Sequence, residues 1–422
     1  MIQLIRGFKD ILQPEASLWQ HIEKEARKLF EIHGYREVRL PILEKTELFA
    51  RSIGETTDIV EKEMYTFTDR GGDTLTLRPE ATASVVRSYI QHKLSGTEPV
   101  RKLYTIGPMF RRERPQKGRY RQFYQIDVEA FGIASPYIDA QMILMLATLM
   151  ERLGVTGISA HINSLGCPDC RPRYRETLTA FIEARKDQLC EDCLRRKDKN
   201  PLRVLDCKSE SCQKAMTEAP ELLDELCGPC AEHFSVVRRE LDRRSLAYKV
   251  NKRLVRGLDY YTRTAFELQT DMLGAQSSVA GGGRYDGLVK TLGGPDIPAI
   301  GFAIGFDRLV EVITQTRPPE EAKPEVFFIP LGEKAMEKAF DLCMQLAEKG
   351  IAAETDYSGR SLKALMKRAD RLAAPRVVLL GDSELETGLV PVKTMATGEQ
   401  EEIPLNALVD VLVNRFSADR KA

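Results

Sequence analysis

The chain has 422 residues, 43% of them hydrophobic and 29% charged, more than one core normally holds, so two or three globular domains are expected. Its 62 basic residues balance 62 acidic ones, which excludes a generally polycationic nucleic-acid binder and leaves that task to local basic patches. The opening MIQLIRGFKD is charged, and the longest apolar run, MILMLATLM from Met142 to Met150, has nine residues, so neither a secretory signal nor a membrane span is expected and the chain is read as cytoplasmic.

Leu18, Ile22, Ala26, Leu29 and Phe30 recur at helical spacing, and Gly34 marks that helix's end. The following EVRLPIL reads as extended chain, with Pro41 confining it to an edge or interface strand. Four further apolar runs, MYTFTD, TLTLRP, KLYTIGPMF and QFYQIDVEAFG, predict a mainly antiparallel sheet with helices interposed rather than regular βαβ units. From about Cys167 to Tyr248 cysteine pairs and charged helices replace the strands, which resume at Lys249. This predicts a catalytic domain over 1–325 interrupted by an insertion at 167–248. After the linker ITQTRPPEEAKPE, the strands VFFIPL and RVVLLG alternate with helices, predicting a small α/β domain over 326–422. In its first helix Cys343 is expected in the core, on a face shared with Met336, Ala339, Phe340 and Ala347.

Two segments carry most of the chemistry. Between Arg111 and Arg121 lie five arginines and one lysine against a single glutamate; taken alone this fits a solvated hairpin, but a loop that basic also attracts phosphates. In the strand behind it, period-two alternation puts Phe123, Gln125, Asp127, Glu129 and Phe131 on one face and Tyr124, Ile126, Val128 and Ala130 on the other. Carboxylates are costly to bury unpaired, so this polar floor expects a ligand or a partner. The second segment, LVRGLDYYTRTAFE from Leu254 to Glu267, would alone pass for an edge strand with a solvated arginine.

Together these segments resemble a known family. GYREVRLPILE (34–44), FRRERPQKGRYRQF (110–123) and GFAIGFDRL (301–309) are similar to motifs 1, 2 and 3 of class II aminoacyl-tRNA synthetases, and RGLDYY (256–261) and GGGRYDGL (281–288) resemble two signatures peculiar to histidyl-tRNA synthetases. The resemblance covers nearly the whole chain in the family's order. It implies an α+β class II catalytic domain on a mixed, mainly antiparallel sheet, here carrying a cysteine-rich helical insertion, and a C-terminal α/β anticodon-binding domain. It further implies activation of L-histidine with ATP and Mg2+ to histidyl-adenylate and pyrophosphate, transfer of histidine to the 3′ end of tRNA(His), and a homodimer built through motif 1. The alternative within the resemblance is a non-catalytic regulatory subunit of ATP phosphoribosyltransferase in histidine biosynthesis. That paralogue typically lacks the C-terminal domain and degrades the motif 2 and RGLDYY arginines, all of which are intact here.

By resemblance, Arg111 binds the α-phosphate and Arg256 reaches it from the other side, at a place other class II enzymes give to a metal ion; these two are the catalytic candidates. Arg308 matches the γ-phosphate ligand, with Arg119 and Arg121 as further ATP candidates. An imidazole has one donor and one acceptor nitrogen and is best read by an acceptor and a hydroxyl, roles the family's pattern gives to Glu129 and Tyr261, with Tyr260 beside them. Glu80, Ala81 and Thr82 of TLRPEAT, with Gln125 and Arg256, complete the histidine site, although Glu80 also suits capping of the next helix. A site of this kind rejects analogues lacking the ring nitrogens by roughly 10⁴ to 10⁵, so no editing domain is needed. Asp127 departs from the small or neutral residue expected there; it would raise the pKa of Glu129 or face an arginine. The GGGRYDGL glycines are expected to let backbone approach the adenosine or the histidine. His21, His33, His92, His161 and His233 lie outside the motifs, and none is assigned to catalysis. In the C-terminal domain Lys363, Lys367 and Arg371, with Arg360 and Arg368 near, form a helical basic stripe suited to tRNA phosphates.

Eight of the nine cysteines fall in the insertion: Cys167 and Cys170, Cys190 and Cys193, Cys207 and Cys212, Cys227 and Cys230. Pairs at such spacing supply two structural zinc sites of four thiolates each, or a variant using His233, against alternatives of free thiols and of disulfides that the compartment disfavours. Which pair joins which is not readable from spacing. No pair lies near the catalytic motifs in sequence, so any metal is expected to be structural.

Overall fold

The computed structural model describes residues 1–54, 57, 59–116, 118–207, 209–258, 260–273 and 278–419; Asp259 of the RGLDYY signature and Lys117 of the basic loop lie outside them. Two compact units result, Met1–Pro319 and Glu320–Ala422.

In the first unit, helix Glu15–Ile32 buries Trp19, Ile22, Ala26, Leu29 and Phe30 as the spacing predicts, and Gly34 follows it with φ +83°, a conformation only glycine adopts freely. The strands in chain order are β1 (Arg36–Glu37), β2 (Leu43–Lys45), β3 (Tyr65–Thr68), β4 (Thr74–Leu77), β5 (Arg101–Phe110), β6 (Gln122–Phe131), β7 (Ile158–Ser164), β8 (Tyr248–Val250), β9 (Thr262–Thr270), β10 (Ser278–Arg284) and β11 (Ala299–Gly305). Among the described residues, eight of them form one sheet in the order β1-β5-β6-β11-β10-β9-β7-β8, and β2, β4 and β3 form a second. Only the outermost pairs, β1 with β5 and β7 with β8, are parallel. As Pro41 requires, the extended piece before it is an edge strand.

The alternation in β6 sorts its two faces as expected. Ile126, Val128 and Ala130 enter the main core, which helices Glu15–Ile32, Pro136–Arg152, Gly228–Arg243 and Phe306–Thr316 share; each large aliphatic or aromatic side chain so buried contributes about 1.5–3 kcal/mol. The opposite face carries Gln125, Asp127 and Glu129, and the residues across from them on β11 are Gly305, Ala303 and Gly301. On the next strand, β10, Gly281 and Gly283 stand opposite Ala303 and Gly301. A sheet with so little side-chain volume on one face leaves a trough there. No described helix is long and apolar enough to cross a membrane.

The insertion connects β7 to β8 through helices Arg171–Glu183, Glu191–Lys199, Glu210–Ala215 and Gly228–Arg243. Its core of Tyr174, Leu178, Ile182, Val204 and Met216 continues into Tyr261 and Ala265 of the catalytic sheet, so the insertion is packed onto the catalytic sheet through a shared core.

The second unit comprises β12 (Val326–Pro330), β13 (Ala353–Thr355), β14 (Arg376–Leu380), β15 (Leu389–Thr394) and β16 (Gln400–Pro404), ordered β13-β12-β14-β15-β16, with a closing helix Leu408–Asp419. The first three strands are parallel, as the alternating pattern predicts, while the β15–β16 hairpin is antiparallel and has no counterpart in the sequence-based prediction. Cys343 is buried, but the face expected around it is corrected. Helix Glu333–Glu348 buries Ala335, Ala339, Leu342 and Leu346 with it, and Phe340 is 49% exposed, because it lies one residue, about 100°, off that stripe.

Candidate active site

The trough opens into a cavity of about 580 Å³ lined by Glu80, Thr82, Arg111, Arg119, Gln125, Asp127, Arg256, Tyr260, Tyr261 and Arg308, ten of the predicted residues. Arg121, Ala81 and Glu129 do not line it.

The cations converge from several elements. Arg111, just past the end of β5, donates from Nε to the Pro79 carbonyl at 2.8 Å and lies over the Phe123 ring at 5.3 Å. Arg119, from the loop, pairs with Glu113 at 2.6 Å. Arg308, in the first turn of helix Phe306–Thr316, donates to the Ser278 carbonyl at 2.7 Å; burial, then Arg119 and Arg111, pull its pKa down to about 10, with Glu113 opposing. Like charges held this close are a built-in demand for an anion. Arg256 is ion-paired with Glu267 and lies over Tyr261 at 5.4 Å. Its approach depends on Gly281, where a Cβ would stand 2.5 Å from Nη1 and 2.9 Å from Cζ. That glycine makes room for a guanidinium while itself lining the cavity, and a Cβ on Gly282 would meet the Gly301 carbonyl at 2.1 Å. Arg121 turns away, donating to the Glu113 and Arg6 carbonyls at 3.4 Å each and tying the basic loop to the N-terminal segment.

Behind the floor sits Glu129, 1% exposed. Thr82 donates its hydroxyl to Oε1 at 2.6 Å and Tyr285 donates to Oε2 at 2.5 Å. Burial pushes the Glu129 pKa up to about 8, against the pull of those two hydroxyls and with the help of nearby Glu80. Gly301 permits this placement, since a Cβ there would lie 1.6 Å from Oε2. Glu80 accepts from the Thr82 and Ala83 amides at 2.8 and 2.9 Å, as the capping reading expects at the start of helix Thr82–Gln91, and it also lines the cavity. Ala81 is fully buried in that same turn. Gln125 keeps Oε1 buried with no hydrogen-bond partner, as does Asp127 its Oδ2. Burial, then Glu129 and Glu80, push the Asp127 pKa well above the ordinary carboxylate range. It does not bond an arginine side chain, because Arg78 is committed to the carbonyls of Pro108, Leu40 and Pro41. Asp127 therefore shifts toward the neutral acid, which limits the negative charge it adds. Tyr260 packs on Tyr261 at 4.7 Å and on Tyr285 at 5.6 Å, forming an aromatic wall.

Some residues of the site escaped the sequence analysis. Tyr285 and Glu267 were within quoted segments but had no role until cross-strand register supplied one. Arg284 is fully buried and ion-paired with Asp139 at 2.6 Å, and His233 Nε2 meets the same carboxylate at 2.7 Å. His233 is thereby excluded from the cysteine sites, correcting the one-histidine variant.

The cysteines assemble as two groups among the described residues: Cys167, Cys170, Cys227 and Cys230, and Cys190, Cys193, Cys207 and Cys212, with all four sulfurs of each within 4.8 Å of one another. Sulfur separations of 3.7 Å (Cys167 to Cys170) and 3.8 Å (Cys167 to Cys227, Cys190 to Cys207) are far from a disulfide. They match the edge, about 3.8 Å, of a tetrahedron with Zn–S bonds of about 2.3 Å. Main-chain amides point at the sulfurs, Cys227 to Cys170 and Cys190 to Cys212 at 3.1 Å each, and Ser209 to Cys207 at 3.4 Å, which favours thiolates. Cys207 also lines the catalytic cavity. Although distant in sequence, the second group lies near the catalytic motifs in space: the turn Pro201–Asp206 folds back so that Arg203 donates to the Arg256 and Gly257 carbonyls.

A mainly antiparallel sheet with arginines gathered over a polar floor, fed by a basic loop and closed by a strand-to-helix arginine, is the catalytic unit of a class II aminoacyl-tRNA synthetase. Residues 7–309 match the family model described as histidyl-tRNA synthetase, and residues 325–415 match an anticodon binding domain. The chain is 59% identical to the histidine–tRNA ligase of Desulforapulum autotrophicum, covering 98% of this chain and 99% of that protein. It is 56% identical to that of Desulfatibacillum aliphaticivorans, over 97% and 98%. The crystal structure of apo Staphylococcus aureus histidyl-tRNA synthetase superposes with a TM-score of 0.83 at 39% identity, covering 98% of this chain and 100% of that one. The chain belongs to the histidyl-tRNA synthetase family.

Proposed function

We infer that the chain is a histidine–tRNA ligase: it activates L-histidine with ATP to histidyl-adenylate, releasing pyrophosphate, and transfers histidine to the 3′ end of tRNA(His). The observation that carries this is one cavity holding Arg111, Arg119, Arg256 and Arg308 beside a floor backed by Glu129. In the reaction the histidine carboxylate attacks the α-phosphorus in line. Charge grows on the α-phosphate oxygens and the departing pyrophosphate, so positioned cations lower the barrier. Arg111 and Arg256 are assigned to the α-phosphate, and Arg119 and Arg308 to the β- and γ-phosphates. Arg121 acts at one remove, by holding the loop. Magnesium would accompany ATP, and Glu113 and Glu267 are the cavity carboxylates on the cationic side that would hold it.

For the amino acid, Glu129 accepts an imidazole N–H and Tyr261 reads the other ring nitrogen, with Tyr260 alongside. Glu80, Thr82, Gln125 and the turn at Ala81 hold the ammonium and carboxylate; the unpartnered Gln125 Oε1 supports this. Residues 1–325 serve catalysis, interrupted by 167–248, and 326–422 read the anticodon, with Lys363, Lys367 and Arg371 exposed on helix Leu362–Arg371 as phosphate contacts. A homodimer through motif 1 fits the exposure of Ile42 (42%), Leu43 (41%) and Phe67 (46%), apolar side chains on one small sheet and its approach. The two four-cysteine groups hold structural zinc, and the protein acts in the cytoplasm. Histidine-dependent ATP–pyrophosphate exchange, with and without tRNA, tests the assignment; no exchange with histidine would refute it.

A further inference from the structure

Arg256, Leu258 and Tyr261, close together in sequence, each have space on both sides. The catalytic cavity lies on one side, and behind it a second cavity of about 470 Å³ is lined by Arg171, Pro201 and Arg203 of the insertion together with Arg256, Leu258 and Tyr261. Tyr261 packs into the insertion's core, and hydrogen bonds on the main chain of this stretch further fix where its side chains point. Two insertion residues donate to its carbonyls, and each lies beside a cysteine group. Arg171 follows Cys170 directly and donates to the Tyr261 carbonyl. Arg203 sits in the turn Pro201–Asp206, which the second group brackets, with Cys190 and Cys193 before it and Cys207 and Cys212 after, and it donates to the Arg256 and Gly257 carbonyls.

Resting on the ligase assignment above, we propose that the two four-cysteine groups bind zinc to position the catalytic segment, with Arg171 and Arg203 as the positioning residues that transmit each ion's hold. Arg203 sets Arg256, a transition-state cation, and Arg171 sets Tyr261, which reads the substrate ring. Without metal, four sulfurs within 4.8 Å are held only by main-chain amides and local apolar packing, and as thiolates they would repel one another. The turn and the helix start then relax, and both guanidinium groups lose their fixed origin. Misplacement of a catalytic group by about 1 Å costs up to ~10²-fold in rate, so activation is lost before the chain unfolds.

The test uses the full chain purified without chelator. Metal analysis should return about two zinc per chain, and stepwise displacement of zinc by a thiol-reactive mercurial, followed with a chromophoric chelator, should abolish histidine-dependent exchange in proportion to the zinc released. Because stripped protein could simply unfold, two metal-replete variants carry the discrimination. Arg203→Met should lower kcat of exchange by ~10- to 10²-fold with little change in KM for histidine. Arg171→Met should chiefly raise KM for histidine, by about tenfold. Arg203→Lys should recover part of the loss, and all variants should retain two zinc. A role confined to folding would lower the active fraction alike in both and leave KM unmoved, and that outcome would overturn the proposal. So would less than about half an equivalent of zinc in the purified protein, or full exchange activity in both methionine variants. Absence of exchange by the untreated protein would instead overturn the ligase assignment, and this proposal with it.

Discussion

Replacing Glu129 with glutamine should make the ligand-free protein more stable while spoiling its choice of substrate. The Glu129 pKa rises from an ordinary 4.5 to about 8, burial being the main cause. A raised folded-state pKa means that the native protein binds this proton more tightly than the unfolded chain. The stability it contributes is whole below about pH 4.5 and is lost as pH rises through about 8. At 1.36 kcal/mol per pKa unit the carboxyl costs roughly 1 kcal/mol at pH 5, ~3 kcal/mol at pH 7 and ~5 kcal/mol at pH 9. Glutamine has no proton to lose, so the advantage of Glu129→Gln over wild type should widen by ~2–3 kcal/mol between pH 5 and pH 7 and by a further ~1–2 kcal/mol to pH 9. Changed hydrogen bonds from Thr82 and Tyr285 add only an offset that does not vary with pH. Denaturant melts of both proteins at the three values would measure the difference directly. In exchange assays the same variant should lose preference for histidine over other amino acids, a trade of stability against function. A stability difference independent of pH, or unchanged histidine preference, would refute the assignment of Glu129 as a strained, substrate-reading carboxyl.

Arg256→Ala should leave a folded protein whose adenylate formation falls at least ~10²-fold, the usual loss for one transition-state donor; pyrophosphate exchange at the wild-type rate would contradict this. Gly301→Ala should push its Cβ into the Glu129 carboxylate, 1.6 Å away in the undisturbed geometry, costing ~1–3 kcal/mol of stability and raising KM for histidine at least about tenfold, as melts and saturation curves would show. A chain ending at Pro319 should retain part of its histidine activation and lose most tRNA charging. Equal charging by the shortened and full chains would remove the C-terminal unit from tRNA recognition.

What was legible beforehand followed from local pattern. The period-two run from Phe123 to Phe131 sorted core from floor because alternation in a strand is a geometric necessity, and the arginines of the basic loop stood out against a neutral chain. What stayed hidden depended on register and on contacts distant in sequence. Glu267 lies across from Gly281, so its pairing with Arg256 follows only once β9 and β10 are aligned. Tyr285 reaches Glu129 from 156 positions away. Spacing named the cysteines but could not pair them, because the first pair meets the last and the middle two meet each other. Phe340 was misassigned because apolar residues on helix Glu333–Glu348 are broad enough to suggest two faces, and only packing chose between them. The β15–β16 hairpin went unread because PVKT and QEEIP are too polar to stand out as strands.

The nesting of those cysteine pairs bears on how the catalytic sheet assembles. Strands β7 and β8 pair in parallel, Ala160 against Tyr248, although the whole insertion intervenes. Bringing together chain ends separated by some tens of residues costs on the order of 3–4 kcal/mol in loop closure, and such delayed pairings slow folding. Cys167 stands just after β7 and meets Cys227, 60 positions on and one helix before β8, and the second cysteine group closes a shorter loop inside that span. On the zinc assignment proposed above, an ion in the inner group would shorten the effective chain between the outer four cysteines, and an ion in the outer group would shorten the span left before β8. On that assignment the insertion would act as a folding staple, and metal supplied during refolding would raise the fraction of chain that reaches its native strand order.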